Sequence, residues 1–553
     1  NFAIFNPLIG NTGSGAQASY VDFSEGNLKA VGNYGSETGL APGTFSFGTG
    51  KWYVEFVATS LSGAYPHLGI IETTSATTQG GYVANSVVYK ADGGIVEDST
   101  STGGWGDSWV AGDVIGMAID CTNGAVYFAK NNTWQDSGVP TSGATKTGAA
   151  LTWTGESIDF VTTTSPYTTS AGVVMNCGQD SSFAGNKTAQ GNQDSNEIGD
   201  FYYEPPTDFL ALCTDNLPDP EIKLPADNFN TLLYDDGAGA KTGLGFQPDM
   251  VWVKARGATN SHKLTDSVRG VEEALTPDTT AAQTTYDQGL LAFGTDGFTV
   301  GTDDHFDSTT GSGMVAWSWL GANGTATNET GDITSTVSAN STAGFSIVKY
   351  TGDDTSGSTV GHGLSETPQM VILKKLTATA DWVVYSEIVG ATAALSLNED
   401  IVPYTYAAYF NNTAPTASVF SLGDYTGVNA SSNDYVAYCF HSVEGYSKIG
   451  SYEGNNNADG TFIYTGFRPA WIMMKNIDSA QPWMMSDDKR STYNVVVDDL
   501  QANNYNTEST GSLDIDYVSN GFKCRTTNVT MNAANTYLYL AYAEYPFKHS
   551  PAR

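Results

Sequence analysis

Short apolar runs bounded by turn-forming residues are the feature that most limits what this 553-residue chain can fold into. The runs are rich in β-branched and aromatic residues, as in Trp52 to Val57 (WYVEFV) and Phe345 to Tyr350 (FSIVKY), and clusters of Gly, Asn, Asp, Ser and Thr interrupt them. Helical periodicity is nearly absent. This pattern is typical of antiparallel sandwiches and barrels and not of parallel βαβ units. The sequence therefore predicts an all-β protein.

The charge balance excludes some classes of partner. The chain has 59 acidic residues against 24 basic ones, a formal net charge of -35, and only 15% charged residues. Binding to a phosphate backbone requires lysines and arginines that displace counterions, so nucleic acid is not an expected partner, and neither is an anionic membrane surface. No stretch approaches the roughly 20 apolar residues that a membrane-spanning helix needs, so membrane insertion is not expected either.

A repeated pattern occupies the second part of the chain. Three apolar strands begin with proline and end with lysine, and they are Pro248 to Lys254 (PDMVWVK), Pro368 to Lys374 (PQMVILK) and Pro469 to Lys475 (PAWIMMK). The fourteenth residue after each proline opens a second apolar run, at His262, Trp382 and Trp483. Further along, Gly297-Phe298, Val419-Phe420 and Gly521-Phe522 precede strands centred on Ala316-Trp317, Ala437-Tyr438 and Ala541-Tyr542.

Three anchors in constant order predict three homologous β modules. Each copy is domain-sized and is expected to bury its own core, like a bead joined to the next by a short connection. A Pro-rich stretch before the copies is expected to be a linker. The predicted division is a leader at 1–26, a β-sandwich at 27–204, the linker at 205–228, and modules at 229–344, 345–445 and 446–553.

The first 200 residues resemble the SPRY (B30.2-like) family. Gly50 to Val57 (GKWYVEFV) and Gly112 to Asp120 (GDVIGMAID) are similar to two characteristic strands of that family, and Asn123-Gly124 predicts a type I′ hairpin turn into Val126 to Ala129. The resemblance implies a sandwich of two antiparallel sheets. The full expectation is thus an all-β chain, a SPRY-like antiparallel β-sandwich followed by three antiparallel β-sandwich modules.

The whole arrangement resembles tail-fibre-like virion proteins of marine tailed bacteriophages. The similarity includes FNPL at Phe5 to Leu8, SEGNLKA at Ser24 to Ala30, and PPTDFLALCTDNLPDP at Pro205 to Pro220. It implies a protein made in the bacterial host cytoplasm and located on the virion, with other virion proteins as partners and a homo-oligomeric state, a trimer being favoured. It also implies a further segment before Asn1, either present in a longer protein or removed.

Ligand recognition is expected at aromatic residues in loops, because sugars stack on aromatic faces while polar groups orient their hydroxyls. The candidates are Tyr65 and His67 in SGAYPHL and Trp105, Asp107 and Trp109 in GGWGDSW. These segments resemble two of the loops that form the binding surface at one end of SPRY domains. The alternative is that Trp105 and Trp109 pack under the following strand.

No motif in the sequence indicates a catalytic site. Acid pairs occur in turn-rich segments, the six histidines lie far apart, and no Gly-x-Ser-x-Gly nucleophile motif is present. We therefore expect no catalytic residues and no cofactor, with calcium left open at Asp303, Asp304 and Asp307 in GTDDHFDS.

The leading prediction is a non-enzymatic tail fibre or fibre-like adhesin that binds a host-surface receptor, either protein or glycan, with glycan preferred. A purely structural virion component, such as a capsid decoration, head-fibre or baseplate protein, is the first alternative. A glycan depolymerase is the second. The host receptor, the oligomeric state and the position on the virion are not determined by the sequence.

Overall fold

The computed structural model describes residues 1–9, 20–34, 39–61, 66–76, 79–155, 158–166, 169–308 and 313–550. The chain divides into two compact units, Asn1–Pro218 and Asp219–Arg553. The described residues contain one α-helical turn, α1 (Thr426–Asn429), and short 3-10 helices at Thr73–Ser75, Gln135–Ser137, Pro140–Thr145, Pro225–Asp227 and Phe547–His549. No helix in these residues has the length and apolarity to cross a bilayer. The remaining regular structure is β-strand, so the all-β prediction is confirmed.

The first unit consists of two sheets. Its strands are β1 (Val21–Ser24), β2 (Lys29–Gly32), β3 (Ala41–Pro42), β4 (Lys51–Ser60), β5 (His67–Glu72), β6 (Ser86–Lys90), β7 (Ile95–Glu97), β8 (Thr100–Thr102), β9 (Val114–Asp120), β10 (Ala125–Lys130), β11 (Thr133–Trp134), β12 (Leu151–Thr152), β13 (Phe160–Ser165), β14 (Gly172–Asn176) and β15 (Leu210–Ala211). One sheet has the order β1-β2-β14-β4-β9-β10-β11, with β12 beside β10 and β15 beside β4, and the other has the order β3-β13-β5-β6-β7-β8.

The two sheets pack face to face as the sandwich prediction requires. Tyr89 of β6 and Phe128 of β10 contact each other with 5.5 Å between ring centroids, and the Thr162 hydroxyl of β13 lies 3.5 Å from the Met175 sulfur of β14. The two sequence segments used for the SPRY resemblance form β4 and β9, which are antiparallel neighbours in the larger sheet. They build the centre of that sheet.

The hairpin between β9 and β10 differs from the prediction. Asp120 pairs with Ala125, so the loop contains four residues instead of two. Gly124 has a φ of 73° but Asn123 is not among the residues with positive φ, whereas a type I′ turn needs positive φ at both central positions. Asn123 instead donates its backbone and side-chain N–H groups to the Asp120 carboxylate, at 2.9 and 2.8 Å. This side-chain bonding favours the longer loop.

The predicted leader and much of the predicted linker belong to the body of the first unit. Phe2 forms a β-bridge with Cys213 and Phe5 forms one with Gly43. In the Pro-rich stretch, Phe209 is fully buried and β15 pairs in parallel with β4. The interpretation of 205–228 as a linker is therefore wrong for its first part, because apolar residues between its prolines are buried. The division between units falls after Pro218.

A buried carboxylate holds the end of the sandwich together. Glu55 of β4 is inaccessible to solvent and accepts the backbone N–H groups of Tyr202 and Tyr203, both at 2.8 Å. The Asn176 side-chain amide of β14 donates to the same carboxylate at 3.1 Å. The acidic residue within the WYVEFV run thus has a structural role, since it satisfies donors of a chain segment that has no strand partner there.

The second unit contains three modules. Module 1 has β16 (Phe229–Tyr234), β17 (Gly239–Thr242), β18 (Met250–Ala255), β19 (Lys263–Asp266), β20 (Glu273–Leu275), β21 (Thr284–Thr285), β22 (Leu290–Gly294), β23 (Gly297–Val300) and β24 (Met314–Trp319). Module 2 has β25 (Ala326–Asn328), β26 (Ser335–Asn340), β27 (Phe345–Thr351), β28 (Thr359–Gly361), β29 (Met370–Lys375), β30 (Val383–Ser386), β31 (Ala393–Ser396), β32 (Tyr404–Thr405), β33 (Val419–Ser421) and β34 (Asp434–Phe440). Module 3 has β35 (Ser447–Glu453), β36 (Phe462–Tyr464), β37 (Phe467–Asn476), β38 (Met484–Asp487), β39 (Val496–Gln501), β40 (Ser509–Val518), β41 (Gly521–Cys524) and β42 (Thr536–Pro546).

The main sheets of the three modules have one strand order. It is β16-β24-β18-β19-β20-β21 in module 1, β27-β34-β29-β30-β31-β32 in module 2 and β35-β42-β37-β38-β39-β40 in module 3. β25 and β26 extend the sheet of module 2, so residues 326–340 lie with the second module and not with the first, where the predicted boundary put them. The proline-to-lysine strands are β18, β29 and β37, at the same place in each sheet.

Pairing registers define equivalent positions in the modules. Val253 pairs with Lys263, Leu373 with Val383, and Met474 with Met484, so these pairs are equivalent. The third Ala-aromatic anchor, predicted at Ala541-Tyr542, lies two residues earlier in the structure: Trp252 pairs with Trp317 and Ile372 with Tyr438, but Met473 pairs with Leu540 and not with Tyr542. A shift of two residues keeps side chains on one face of a strand, which is why the apolar pattern concealed it.

Each main sheet is buried on both faces. In β18, Val251 and Val253 belong to a core confined to module 1, whereas Met250 and Trp252 belong to a core that all three modules share. The strands β29 and β37 alternate in the same way between the cores of their own modules and the shared core. The expectation of independent beads is therefore wrong, because one face of every module is buried only by the other two.

Aromatic rings from all three modules meet in the shared core. Trp471 of module 3 contacts Phe229 and Trp319 of module 1, with ring centroids 5.9 and 5.7 Å apart, and Phe229 stacks on Tyr542 at 4.6 Å. A cavity of about 10 Å³ remains among apolar side chains of the three modules. It is too small for an organic ligand, so this region is a packed core and not a binding pocket.

The anchor residues after each proline-to-lysine strand contact the neighbouring module. The Trp382 indole N–H of module 2 donates to the Thr276 carbonyl of module 1 at 3.2 Å, and the Trp483 indole N–H of module 3 donates to the Ser396 carbonyl of module 2 at 2.9 Å. Thr276 and Ser396 are at equivalent positions. Module 2 thus contacts module 1 in the same way that module 3 contacts module 2.

His262 provides the corresponding contact between modules 1 and 3 and closes the ring of modules. Burial, reinforced by Lys254, lowers the pKa of His262 to about 3, while the nearby backbone of Gln501 and Asn504 in module 3 acts to raise it. Gln501 is equivalent to Thr276, since it pairs with Met484. The neutral ring also accepts the indole N–H of Trp252 at 3.0 Å.

Buried ion pairs lie at two of the three module interfaces. Arg269 pairs with Asp266 inside module 1, and the Tyr438 hydroxyl of module 2 donates to that aspartate at 2.7 Å. At the equivalent place in module 3, Arg490 pairs with Asp487 at 2.6 Å, and the Trp317 indole N–H of module 1 donates to the aspartate at 3.1 Å. Bonds from the neighbouring module thus satisfy carboxylates that are withdrawn from water.

Three equivalent lysines end the proline-to-lysine strands and are fully buried. Each ammonium group donates to two backbone carbonyls: those of Ala255 and Ala258 for Lys254, Thr280 and Ala380 for Lys374, and Asp400 and Gln481 for Lys475. Thr280 and Asp400 belong to the preceding module, so Lys374 and Lys475 join two modules. Burial lowers the pKa of each of the three lysines to about 8.

Removal of one shared-core ring should destabilise all three modules together. Trp471 is 1% exposed, and Trp471→Ala is expected to lower the free energy of unfolding of the second unit by about 3 to 5 kcal/mol. Denaturant titration followed by limited proteolysis measures this, with Tyr493→Ala, at an 81% exposed position, as the control. Loss of protection confined to module 3 would contradict a shared core.

The buried lysines predict a contribution to stability that rises with pH between about 8 and 10. The unfolded chain keeps lysine protonated up to about pH 10.4, whereas the folded chain releases these protons near pH 8. Unfolding therefore takes up the lysine protons in this range, and the lysine contribution to the free energy of unfolding increases with pH. Denaturant midpoints at pH 7.5 and 9.5 measure this contribution by comparison, because Lys374→Met should make the change between the two pH values less favourable to the folded state than it is in the unaltered chain. An identical slope in that variant would exclude Lys374 as a contributor.

Candidate functional site

The first group of predicted binding residues lies around β5. Tyr65 lies outside the described residues. His67 opens β5 and is 6% exposed, with its Nδ1 atom 2.8 Å from the Gln79 side-chain amide and its ring stacked on Tyr82. Burial, reinforced by Lys90, lowers the pKa of His67 to about 4, so the ring is neutral at pH 7. His67 is thus a buried strand residue and is not available to a ligand.

The second group lies on the loop before β9 and packs largely on its own unit. Trp109 is 1% exposed, and Trp105, which is half-buried, contacts Tyr89 and Phe128 edge-on at 5.6 and 6.2 Å. Asp107 is exposed at its side chain, and its backbone carbonyl accepts the Tyr89 hydroxyl. Trp109 therefore follows the packing alternative, and these residues form no open aromatic surface.

The three aspartates considered for calcium do not converge. Asp303 accepts the backbone N–H of His305 at 2.9 Å, Asp307 accepts that of Gly237 at 2.6 Å, and Asp304 is exposed. Among the residues described, no group of three or more His, Cys, Asp or Glu side chains is arranged to hold a metal ion. The adjacent residues 309–312 lie outside this description.

An exposed aromatic surface occurs in module 2, where the sequence analysis placed no site. Four tyrosines form it, and they are called the tyrosine cluster: Tyr404, Tyr406, Tyr409 and Tyr425. Tyr404 is 58% exposed and Tyr406 is 44% exposed, while Tyr409 and Tyr425 are half-buried beneath them. Ring centroids are 5.3 Å apart for Tyr406 and Tyr409, 5.9 Å for Tyr406 and Tyr425, and 5.0 Å for Tyr409 and Tyr425.

Backbone hydrogen bonds bring the four tyrosines together. Tyr406 follows the edge strand β32 and donates its N–H to Thr392, and Tyr409 donates to Tyr406 in a tight turn. Tyr425, distant in sequence, donates its N–H to the Ala408 carbonyl at 3.0 Å. The approach of the two chain segments requires glycine at 423, because a Cβ there would lie 2.1 Å from the Ala408 carbonyl oxygen.

Two carboxylates, those of Asp381 and Glu399, act electrostatically on the tyrosine cluster. Burial, followed by the influence of Tyr425 and Asp381, raises the pKa of Tyr409 to about 12, and burial with Asp381, Tyr406 and Glu399 raises that of Tyr425. Burial and the nearby Asp381 also raise the pKa of the Glu399 carboxyl. Asp381 and Glu399 are half-buried, and Asp381 accepts the Asn398 side-chain amide at 3.0 Å, so the cluster presents aromatic faces within the electrostatic reach of two partly accessible carboxylates.

The fold of a module does not require an aromatic residue at every position of the tyrosine cluster. Tyr404 pairs with Ala394, and the equivalent pairs are Thr284 with Ala274 in module 1 and Ser509 with Asp499 in module 3. Tyr406 is matched by Tyr286 in module 1 and by Gly511 in module 3. The equivalent strands thus form without an aromatic residue at the first position, so the cluster is an addition specific to module 2.

The sequence contained a partial signal for this site. The segment Tyr404 to Phe410 reads YTYAAYF, three tyrosines within six residues in a turn-rich region outside the repeated anchors. Tyr425 could not be associated with it from sequence, because the contact depends on how two loops fold against each other. The SPRY resemblance instead implied a binding surface in the first unit.

The described residues define two all-β units, the second a closed ring of three modules that carries an exposed tyrosine cluster. The family described as "Domain of unknown function (DUF7483)" matches residues 224–546, which spans all three modules, and the chain belongs to this family. No curated protein matches the chain.

Solved SPRY domains are similar to part of the chain. A human SPRY domain is 14% identical, with 28% of this chain and 94% of that chain covered and a TM-score of 0.22. The SPRY domain of human HERC1 is 12% identical, with 31% and 96% covered and a TM-score of 0.24. The TRIM65 PSpry domain is 14% identical, with 32% and 92% covered and a TM-score of 0.23.

Removal of the two exposed tyrosines should leave the fold intact. The double substitution Tyr404→Ala and Tyr406→Ala is expected to change the free energy of unfolding by less than about 1 kcal/mol, as is usual for exposed positions. Phe410→Ala, at a 3% exposed position in the same turn, should cost about 3 kcal/mol or more. Denaturant titration compares the two. A large loss for the tyrosine variant would assign the cluster a structural role.

Proposed function

We propose that the protein is a non-catalytic attachment protein of a tailed-phage virion, a tail fibre or fibre-like adhesin that binds a host-surface structure, with glycan preferred. The observation that supports a binding role is the tyrosine cluster, which has exposed rings within the electrostatic reach of two partly accessible carboxylates. Aromatic faces stack on sugar rings and carboxylates accept their hydroxyl groups, which is the usual composition of a carbohydrate site.

The shared core supports presentation of this site on a rigid support. The three modules cannot move independently while one face of each is buried by the other two, so the tyrosine cluster stays fixed relative to the rest of the second unit. A preorganised surface binds with a smaller entropic cost than a mobile one. Rigid display of a surface site is what an attachment protein requires.

The phage origin and the oligomeric state belong to this proposal through the sequence resemblance. The motifs FNPL, SEGNLKA and PPTDFLALCTDNLPDP support the virion location and association with other virion proteins. A homotrimer is proposed, because several copies of a weak glycan site convert modest affinity into avidity.

A purely structural virion role is the second candidate. The observation that favours it is the same shared core, since a ring of three interlocked modules is a stiff block suited to act as a spacer or a decoration. In that case the second unit would contact another virion protein, and the tyrosine cluster would be part of that contact.

Binding to intact host cells tests the proposal. Fluorescently labelled full chain should stain the cells, and the double substitution Tyr404→Ala and Tyr406→Ala should reduce staining by about tenfold, the effect of losing about 1.4 kcal/mol. Tyr493→Ala, at an exposed position in module 3, serves as the matched control and should stain normally.

Two results would contradict an adhesin. Binding to purified capsids but not to cells would support the structural role. Release of reducing ends from host polysaccharide would instead show a depolymerase.

A further inference from the structure

The tyrosine of module 1 that is equivalent to Tyr406 is already covered by a cation of the same chain. The Lys263 Nζ atom lies 4.7 Å from the centroid of the Tyr286 ring and also donates to the Thr276 hydroxyl at 2.9 Å. Lys263 is 3% exposed. The negative face of an aromatic ring attracts a cation most strongly when water is excluded, so this is a favourable cation–π contact.

Module 2 keeps the tyrosine and loses the cation. Tyr286 and Tyr406 are equivalent because each donates its backbone N–H to the residue that precedes an equivalent strand. That residue is Glu272 before β20 in module 1 and Thr392 before β31 in module 2. At the position of Lys263 module 2 has Val383, which occupies the same place in the ladder. Val383 is 2% exposed and carries no charge. The Tyr286 ring in module 1 therefore has a lysine of its own chain against its face, whereas the Tyr406 ring in module 2 has no lysine at the equivalent position.

The cluster geometry adds aromatic faces at this position. The Tyr406, Tyr409 and Tyr425 planes meet pairwise at 82°, 81° and 82°, so three rings are almost mutually perpendicular. The three rings contact one another edge to face, and Tyr404 and Tyr406 keep 58% and 44% of their surface exposed to a ligand.

The nearby charges favour a positive ligand. Asp381 and Glu399 act on the tyrosines as described above, and both are partly accessible. Lys374, which donates to the Thr280 and Ala380 carbonyls, acts electrostatically on Asp381, while Lys375 donates to the Thr426 carbonyl and lies over the Tyr435 ring. The cluster thus combines aromatic faces with the negative charge of Glu399 and Asp381, of which Lys374 partly offsets Asp381.

We propose that the tyrosine cluster binds a quaternary ammonium group, with Asp381 and Glu399 supplying charge complementarity. A host-surface glycan substituted with such groups would supply the ammonium group, and in this respect the inference rests on the proposed function. The binding chemistry itself follows from the contacts of module 2. Alkylated ammonium groups fit aromatic faces because they are positively charged and weakly hydrated.

Titration of the full chain with choline tests the site directly. Isothermal calorimetry should detect choline binding, while the uncharged isostere 3,3-dimethylbutan-1-ol should bind about tenfold more weakly or not at all, a difference of about 1.4 kcal/mol. Tyr406→Ala should abolish binding, and Tyr406→Phe should retain it because the ring face is kept. Asp381→Asn should weaken it. Tyr493→Ala should have no effect, and unfolding midpoints confirm that each variant is folded.

The possible outcomes are distinct. Equal binding of choline and its neutral isostere, no binding of either, or full binding by Tyr406→Ala would overturn the inference. If the chain stains cells but does not bind choline, and choline does not inhibit the staining, the ammonium site is refuted and the adhesin proposal stands. Choline binding without cell staining would support the site and refute the adhesin.

Discussion

The packing of three sheets against one another is the interaction on which the second unit depends. Each main sheet buries one face against its own small sheet or loops and the other against the two neighbouring modules. A central strand such as β18 must then be apolar on both faces, which explains why the repeated segments read as continuous apolar runs and not as an alternation of apolar and polar residues. Because no module has a polar face to present in place of the shared core, the three modules form one cooperative structure instead of three small domains.

The interfaces that surround this core are polar at defined points and have diverged between modules. The position of Asp266 and Asp487 is Ser386 in module 2, since each pairs with the equivalent residue of the proline-to-lysine strand. A buried ion pair thus occurs at two interfaces, and an apolar contact that includes Val389 replaces it at the third. A buried pair costs desolvation, but loss of either partner leaves an uncompensated buried charge, so each pair favours the contact that satisfies both of its members. The different interfaces distinguish the three modules, which share one topology and would otherwise be able to associate in more than one order.

Because both faces of each sheet are used for packing, new surface functions fall to the edge strands and loops. The tyrosine cluster follows the edge strand β32, and its counterparts in the other modules are Thr284 and Ser509 for Tyr404, and Tyr286 and Gly511 for Tyr406. Duplicated modules can vary at such positions without cost to the core. The comparison of equivalent positions within one chain therefore separates residues that the fold needs, such as the buried lysines present in all three modules, from residues that one module has acquired.

Local patterns in the sequence were enough to determine the all-β class, the strands β4 and β9, and the three proline-to-lysine strands with His262, Trp382 and Trp483 after them. These features depend on side-chain alternation and turn residues within a few positions. The sequence did not determine that the modules share a core, that Phe209 in the Pro-rich stretch is buried, or that Tyr425 lies beside Tyr406. Only the tertiary structure decided these, because they are contacts between segments distant in the chain, and an apolar residue looks the same in sequence whichever surface finally covers it.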